Sequence, residues 1–364
     1  MMRSWIHFTR GRFVRQARIG LEEAGLREEH LSRQGFAGPV AMLYRTDGPN
    51  EIVRVEGDYR SRAVDSADVV APDAEDPRGG WQTLLSNDDV AVAISRRKHA
   101  MPYCYRDMVG DLLYFVHRGT GTFATEFGPL RYEPGDWVLL PKATTFQQIP
   151  DPGDSLLLVV ESPTPIQMAE HENVGRHTPI DPTMLEVPEI VDYHRKPQSE
   201  YEVRMKHAGG HSSIFYKNDP LNVVGWKGDL FPFKFNVRSI LPLMSDRIHI
   251  PPSSWVTFEA PGFCVLTIPP MPSVSDLNSE ELPSYHRNID MDEVMLGHAD
   301  TDPAGRRPGM FRHTPQGILH GADEATRAEF QKKRKPGAHR TATMIGVDTY
   351  RPLTPTPEFA KIAG

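Results

Sequence analysis

Short apolar runs that alternate with polar residues follow one another along most of the chain. GPVAMLYR (residues 38–45), EIVRVEGDYR (51–60) and DVAVAISRR (89–97) all show this pattern. A period of two is typical of β-strands with one buried face. An earlier segment, GLEEAGLREEHLSRQG (20–35), has the spacing of a short helix instead. The first part of the chain is therefore predicted to be a short helix followed by β-strands.

The segment DLLYFVHRGTGTFATEFGPLRYEPGDWVLLPKATTFQQI (111–149) shows how these strands are connected. An apolar run meets the turn sequence RGTG at 118–121, a second run follows, and EPGD at 133–136 leads into WVLLP. This spacing of turns is typical of a double-stranded β-helix, the small jelly-roll barrel called a cupin.

The rest of the chain predicts a second barrel. Residues 162–199 are rich in proline and charge and poor in alternation, which indicates a connector. Strand-like runs bounded by proline and glycine then return in DPLNVVGWKGDLFPFKFNVRSI (219–240), SSWVTFEAPGFCVLTIPP (253–270) and PGMFRHTPQGILHG (308–321), and EATRAEFQKKRK (324–335) predicts a late helix. We therefore expect a mainly all-β, bicupin-like fold with a few short helices. Its predicted parts are a cupin-like domain at 1–161, a connector at 162–205 and a metal-binding cupin-like domain at 206–364.

Composition narrows the class of protein. The 364 residues carry a net charge of −7 and are 39% hydrophobic, which is typical of a globular protein and does not favour nucleic acid as a partner. No segment approaches 18 uninterrupted apolar residues, so no membrane association is expected. Cys104 and Cys264 lie far apart in apolar surroundings and are predicted to be buried thiols in a reducing compartment. A cytoplasmic location is therefore expected.

Histidines and acids cluster late in the chain. Five of the fifteen histidines fall within residues 286–339, and SYHRNIDMDEVMLGH (284–298) combines two of them with acidic and amide side chains. Neutral imidazoles and a buried carboxylate converge most often around a metal ion, because an unpaired buried carboxylate is costly. Two histidines and one carboxylate on one face of the ion suit Fe(II), whereas zinc accepts the same ligands but supplies no electrons to dioxygen. The alternatives are a hydrated turn and histidines with a purely structural role.

The identity of the carboxylate ligand depends on the local backbone. A continuous strand from His286 to Glu293 would place these two side chains on opposite faces, and Asp290 or Asp292 would then share a face with His286. A turn within HRNID would allow Glu293 to face His286 instead. Spacing alone leaves the choice between Glu293 and Asp292 open.

Four segments resemble the homogentisate 1,2-dioxygenase family over most of the chain. They are YHRNIDMDEV (285–294), PGMFRHTPQGILHG (308–321), DPLNVVGWKGDLFPFKFNV (219–237) and HLSRQGFAGPVAMLYR (30–45). The resemblance implies a bicupin-like fold whose first barrel lacks metal, which is consistent with Thr145, Phe146 and Gln147 at positions where a metal-binding cupin would offer histidine. It further implies one Fe(II) in the second barrel, held by His286, Glu293 and His320. By the same resemblance His249 handles the proton of the substrate hydroxyl.

The chain departs from the family at its substrate contacts. A tyrosine and a lysine that hold the substrate in the family are missing from VMLGHADTDPAGRRPG (294–309). Arg306 or Arg307 is predicted to supply the cation instead, since a guanidinium can bind a carboxylate with two hydrogen bonds. His313 is displaced by one residue from the His-Pro pair of the family and is predicted to contact the substrate. Tyr285 and Asn288 are predicted to form hydrogen bonds to the substrate or to the metal ligands.

These features predict an Fe(II)-dependent dioxygenase that uses dioxygen to cleave the ring of homogentisate or a related hydroquinone-type aromatic. One alternative is a dioxygenase for hydroquinone itself or another substituted diphenol, because the substrate tyrosine and lysine are missing. An alternative of a different class is a non-catalytic or isomerase-type bicupin that binds zinc or no metal. The resemblance implies a homo-oligomer, either a trimer or a hexamer.

Overall fold

The computed structural model describes the chain except for residues 1–6, 36, 172–174, 176, 178, 193–194, 242, 246–251, 282–284, 302–304 and 364. The first half contains α1 (Leu21–Ala24), β1 (Arg27–Gln34), β2 (Ala37–Arg45), β3 (Arg62–Asp65), β4 (Gln82–Ser86), β5 (Ala91–Ser95), β6 (Cys104–Asp107), β7 (Asp111–Arg118), β8 (Gly121–Thr125), β9 (Gly128–Tyr132), β10 (Asp136–Leu140), β11 (Thr145–Pro150), β12 (Leu156–Ser162) and β13 (Gln167–Met168). The second half contains β14 (Tyr201–His207), β15 (Gly210–Tyr216), β16 (Phe233–Asn236), β17 (Val256–Ala260), β18 (Phe263–Ile268), β19 (Met271–Pro272), β20 (Tyr285–Asn288), β21 (Asp292–Ala299), β22 (Met310–Thr314), α2 (Glu324–Lys333), β23 (His339–Arg340), β24 (Thr343–Thr349), β25 (Thr354–Pro355) and α3 (Pro357–Ile362). Short 3-10 helices lie at Ser66–Asp68, Pro72–Ala74, Pro182–Met184, Val237–Ser239 and Pro252–Trp255.

Most of these strands belong to four sheets. Sheet I has the order β16-β10-β7-β12-β5-β4-β25, and sheet II has the order β15-β14-β6-β11-β8-β9. Sheet III has the order β13-β17-β18-β24-β21-β22-β3, and the small sheet IV has the order β2-β1-β20. Sheets I and II enclose one hydrophobic core, as expected of a jelly-roll barrel. The prediction of a mainly β, cupin-like fold is confirmed.

Two local predictions were wrong. The helix predicted over 20–35 is limited to Leu21–Ala24, because Gly25 takes a left-handed backbone (φ +61°) and the following residues form β1. β1 pairs with β2 on one side and with β20 on the other, and this tertiary pairing overrides the helical pattern. The strand predicted over 51–60 is irregular backbone.

Other local predictions are confirmed. The late helix is α2, and GPVAMLYR lies within β2. Cys104 and Cys264 are free and buried. Among the described residues, no helix has the length and apolarity that a membrane span requires.

A shared hydrophobic core joins sheet I to sheet III. Phe115 and Trp137 from sheet I belong to the same buried cluster as Phe258 and Val294 from sheet III. The Trp137 indole Nε1 also donates a hydrogen bond to Thr267 Oγ1 at 3.0 Å, which links β10 to β18. This packing fixes one face of sheet III and leaves the opposite face for the candidate site.

Several strands cross the predicted domain boundaries. β25 pairs with β4 in sheet I, and β14 pairs in parallel with β6 in sheet II, although both come from the second half. In the other direction, β3 pairs with β22 in sheet III. The division at 161/162 and 205/206 stays a prediction, and each sheet is completed by strands from the other half.

Two histidines meet where sheets I and III pack together. His117 Nδ1 of β7 lies 3.2 Å from His298 Nδ1 of β21, so one neutral ring can donate to the other. Burial lowers the pKa of both rings to about 4, and the neighbouring His298 adds to the effect on His117. Both imidazoles are therefore neutral in the folded protein at neutral pH.

We expect this pair to contribute to loss of stability in acid. A pKa that is lower in the folded state than in the unfolded state means that the unfolded chain binds more protons, so stability falls as pH drops from about 6.5 to about 4. A shift of this size corresponds to about 3 kcal/mol for each histidine. In urea unfolding of the metal-free protein, the His117→Gln, His298→Gln double variant should lose less stability than wild type between pH 7 and pH 4. The exposed His207→Gln control should keep the wild-type slope, and equal slopes for all three proteins would contradict the assignment.

Candidate metal centre

A bend in the chain allows the side chains of His286 and Glu293 to face each other, which a continuous strand would not. His286 lies on β20 in sheet IV, the chain bends at 289–290, and Glu293 is the second residue of β21 in sheet III. The two side chains therefore belong to different sheets that face each other. Asp292 points to the other side of β21, where it accepts a hydrogen bond from His313.

A backbone bridge brings His320 to the same place. The His286 N–H donates to the His320 carbonyl at 2.9 Å, and the His320 N–H donates back to the His286 carbonyl at 3.1 Å. The next residue is Gly321, where a Cβ would lie 3.1 Å from the ring of Tyr285 and 3.2 Å from its Cα. This glycine therefore permits the close approach of the two chain segments.

The three side chains form a compact cluster. Glu293 Oε1 lies 3.2 Å from His286 Nε2, and Glu293 Oε2 lies 2.9 Å from His320 Nε2. One potential ligand atom from each residue lies within 4.8 Å of the others. Asn288 donates a hydrogen bond from Nδ2 to Glu293 Oε1 and so holds the carboxylate from the side.

The donor set fits a cation. His320 Nδ1 lies 2.9 Å from the Ile318 carbonyl, which can only accept, so Nδ1 carries the proton and Nε2 of the neutral ring presents a lone pair. That lone pair faces Glu293 Oε2, and two acceptors at such a distance repel each other unless a proton or a cation lies between them. Ligand atoms about 2.1 Å from a divalent ion and at right angles to each other are about 3.0 Å apart. The two observed distances, 2.9 and 3.2 Å, match this value.

Glu293 and its neighbour Asp348 have pKa values that are shifted in opposite directions. Burial acts to raise the pKa of Glu293, but the positive charges that His320 and His286 carry when they are protonated outweigh it and hold the pKa well below its ordinary range. Asp348 lies directly opposite Glu293 in the β21–β24 pairing. Burial, together with the charge of Glu293, raises the pKa of Asp348 well above its ordinary range. The charge of Glu293 therefore disfavours ionisation of the Asp348 carboxyl beside it.

Some predicted site residues lie away from this cluster. Tyr285 points to the other side of β20, where its hydroxyl donates to Glu324 Oε1 at 2.5 Å. His313 is fully buried and donates from Nε2 to Asp292 Oδ2 at 2.8 Å. The structure does not bring either side chain to the triad. His249 lies outside the described residues, so its predicted role stays a prediction.

The two candidate arginines differ in their surroundings. Arg307 is exposed and forms an ion pair with Asp65 at 2.9 Å. Arg306 is partly buried, and its charge acts on Arg312, a residue that the sequence analysis did not select. In MFRHT (310–314), Arg312 alternates with Phe311 and His313, which are buried, so the period-two pattern was a signal that could have identified it.

The fold and the cluster define a cupin with a possible metal site of two histidines and one glutamate. Residues 80–237 match the family model described as Homogentisate 1,2-dioxygenase N-terminal. The chain is 25% identical to a putative dioxygenase of Saccharolobus solfataricus over 351 residues, covering 90% of this chain and 88% of the relative. It is 23% identical to a homogentisate 1,2-dioxygenase of Pseudomonas putida over 318 residues, covering 82% of this chain and 69% of the relative. The chain is therefore similar to members of the homogentisate 1,2-dioxygenase family over most of its length.

Among solved structures, the chain is similar to a cupin 2 conserved barrel domain protein from Leptotrichia buccalis. The TM-score is 0.37 and the sequence identity is 8%, covering 82% of this chain and 99% of that chain.

Proposed function

We propose that this protein is an Fe(II)-dependent dioxygenase that cleaves the ring of homogentisate or a related hydroquinone-type aromatic. The cluster of His286, Glu293 and His320 is the observation that carries the proposal, because two histidines and one carboxylate with open positions are typical of Fe(II) oxygenases. The relatives named as dioxygenases support it. When bound, Fe(II) would supply open coordination positions and the electrons that dioxygen needs to react with an aromatic ring.

The residues of the chain would prepare this chemistry. The Ile318 carbonyl fixes the tautomer of His320, and Asn288 orients the Glu293 carboxylate, so that all three donors point to one place. A base must take the proton of the substrate hydroxyl, since a phenolate ring is richer in electrons than a phenol. We assign this role to His249, as the family resemblance implies, because an imidazole exchanges protons readily near neutral pH.

Reconstitution with different metals tests the proposal. Metal-free protein loaded anaerobically with Fe(II) should consume about one dioxygen per ring when it is given homogentisate, hydroquinone or another substituted diphenol. The same protein loaded with Zn(II) should consume none, because zinc does not change its oxidation state. Oxygen uptake with the panel of diphenols measures both results and ranks the substrates. Tight zinc binding without oxygen consumption by the Fe(II) form would instead favour a non-catalytic or isomerase-type bicupin.

A further inference from the structure

Arg312 lies on the same face of sheet III as the candidate metal ligand. In β22, Phe311 packs in the shared core and His313 bonds to Asp292, so Arg312 and Thr314 project from the opposite face. Thr314 is paired with Glu293, and Arg312 is paired with Met295. Arg312 is therefore the diagonal neighbour of Glu293, at a Cβ separation of about 7 Å.

The guanidinium of Arg312 has no protein partner among the described residues. Burial lowers its pKa, the charge of Arg306 lowers it further, and Glu293 opposes both effects. Glu293 does not form an ion pair with it, because its two oxygens already face His286 and His320. A partly buried arginine is stable only when an anion compensates for its charge.

Two other arginines of this half that are at least partly buried have such a compensating carboxylate. Arg287 pairs with Glu29 at 2.6 Å, and Arg334 pairs with Glu281 at 3.0 Å. Arg312 is also partly buried, but it forms no ion pair with a carboxylate in the part of the chain that the structure describes. A guanidinium is also the side chain best suited to bind a planar carboxylate through two hydrogen bonds.

We propose that Arg312, with Arg306 beside it, binds an anionic substituent of the aromatic substrate and so selects rings that bear a carboxylate. This inference rests on the proposed function and adds a residue that determines its specificity. Of the two arginines predicted from the sequence, Arg306 is kept in the proposed site. Arg307 is excluded, because it forms an ion pair with Asp65. Of the predicted arginines, only Arg306 then takes part, and Arg312 makes the main contact.

Binding of a matched pair of ligands tests this assignment. The probes are homogentisate and its uncharged primary amide, and their Kd values for the Fe(II)-loaded protein are measured by calorimetry without oxygen. Wild type should bind the acid more tightly than the amide. Arg312→Gln should weaken binding of the acid by about 10- to 100-fold, the value of one charge-assisted contact, and should leave binding of the amide within about 3-fold.

Two further variants and two control measurements complete the test. Arg312→Lys should recover part of the affinity for the acid, because it restores the charge without the planar fork. Arg238→Gln removes an exposed arginine that pairs with Glu133 in the other half, and should leave both Kd values unchanged. Iron content and thermal unfolding show whether each variant is folded and loaded, and the lysine variant decides the question should the glutamine variant fail to fold.

The outcomes separate this inference from the proposed function. An equal loss of affinity for acid and amide, or no loss for either, overturns the role of Arg312. Arg312-dependent binding of the acid without oxygen uptake from any diphenol supports the anion site and overturns the dioxygenase proposal. Oxygen uptake by wild type, together with unchanged binding of the acid and the amide by Arg312→Gln, supports the dioxygenase proposal and overturns the anion site.

Discussion

Glu293→Gln is expected to abolish metal binding and oxygen consumption. Glutamine keeps the shape of the side chain but removes the negative charge that faces His286 and His320. Loss of residues that only orient a ligand weakens metal affinity by about 10- to 100-fold, so loss of the anionic ligand itself should exceed about 100-fold. Iron content after reconstitution and oxygen uptake with homogentisate are the measurements.

Two controls make this result specific. Glu259→Gln changes an exposed glutamate of sheet III and should leave iron content and oxygen uptake unchanged. The Glu293→Gln, Asp348→Asn double variant shows whether the carboxyl opposite Glu293 rescues the site once the charge of Glu293 is gone. Stoichiometric iron and near wild-type turnover in the double variant would place the active metal elsewhere.

Asp292→Ala is expected to cause a large loss of stability. The Asp292 side chain is 1% exposed and accepts hydrogen bonds from His313 Nε2 at 2.8 Å, Gln316 N at 3.0 Å and Leu353 N at 2.9 Å. Alanine would leave three donors without an acceptor, two of them buried and one partly buried. The free energy of unfolding should therefore fall by about 3–5 kcal/mol. Equilibrium urea unfolding of the metal-free protein measures this change.

A neighbouring aspartate provides the matched control. Asp290 is two residues away but only partly buried, and it pairs with an exposed arginine, Arg33. Ion pairs of this kind contribute about 0–1 kcal/mol, so Asp290→Ala should have little effect. If the two variants lost the same stability, the hydrogen bonds of Asp292 would not be the cause.

The adjacent residues Asp292 and Glu293 show how far the sequence could be interpreted. The resemblance selected Glu293 as the ligand, whereas spacing left both residues open. The decision depends on the bend at 289–290, which moves the chain from sheet IV to sheet III. The side chains on the two sides of β21 then reach different partners, and no local pattern contains that information.

Strand β1 shows why one element was predicted wrongly. The spacing of residues 20–35 predicted a helix, yet the glutamates at 28 and 29 are fully buried in the strand. Arg45 and Arg287 pair with Glu29 at 2.7 and 2.6 Å, and these arginines come from the two neighbouring strands. Charged residues can occupy such a position only when partners distant in the sequence arrive, so local propensity favoured the wrong structure. The period-two pattern could have indicated the face on which Arg312 lies, but only the structure shows that its guanidinium has no protein partner among the described residues.

The strand exchange between the halves has a consequence for synthesis on the ribosome. In sheet I, the edge at β4 is covered by β25 (Thr354–Pro355), which is synthesised much later. In sheet III, β3 cannot pair until β22 has been synthesised. The nascent first half therefore exposes open strand edges until β22 and β25 have been made. Such edges favour aggregation, so the cell must protect them during this interval.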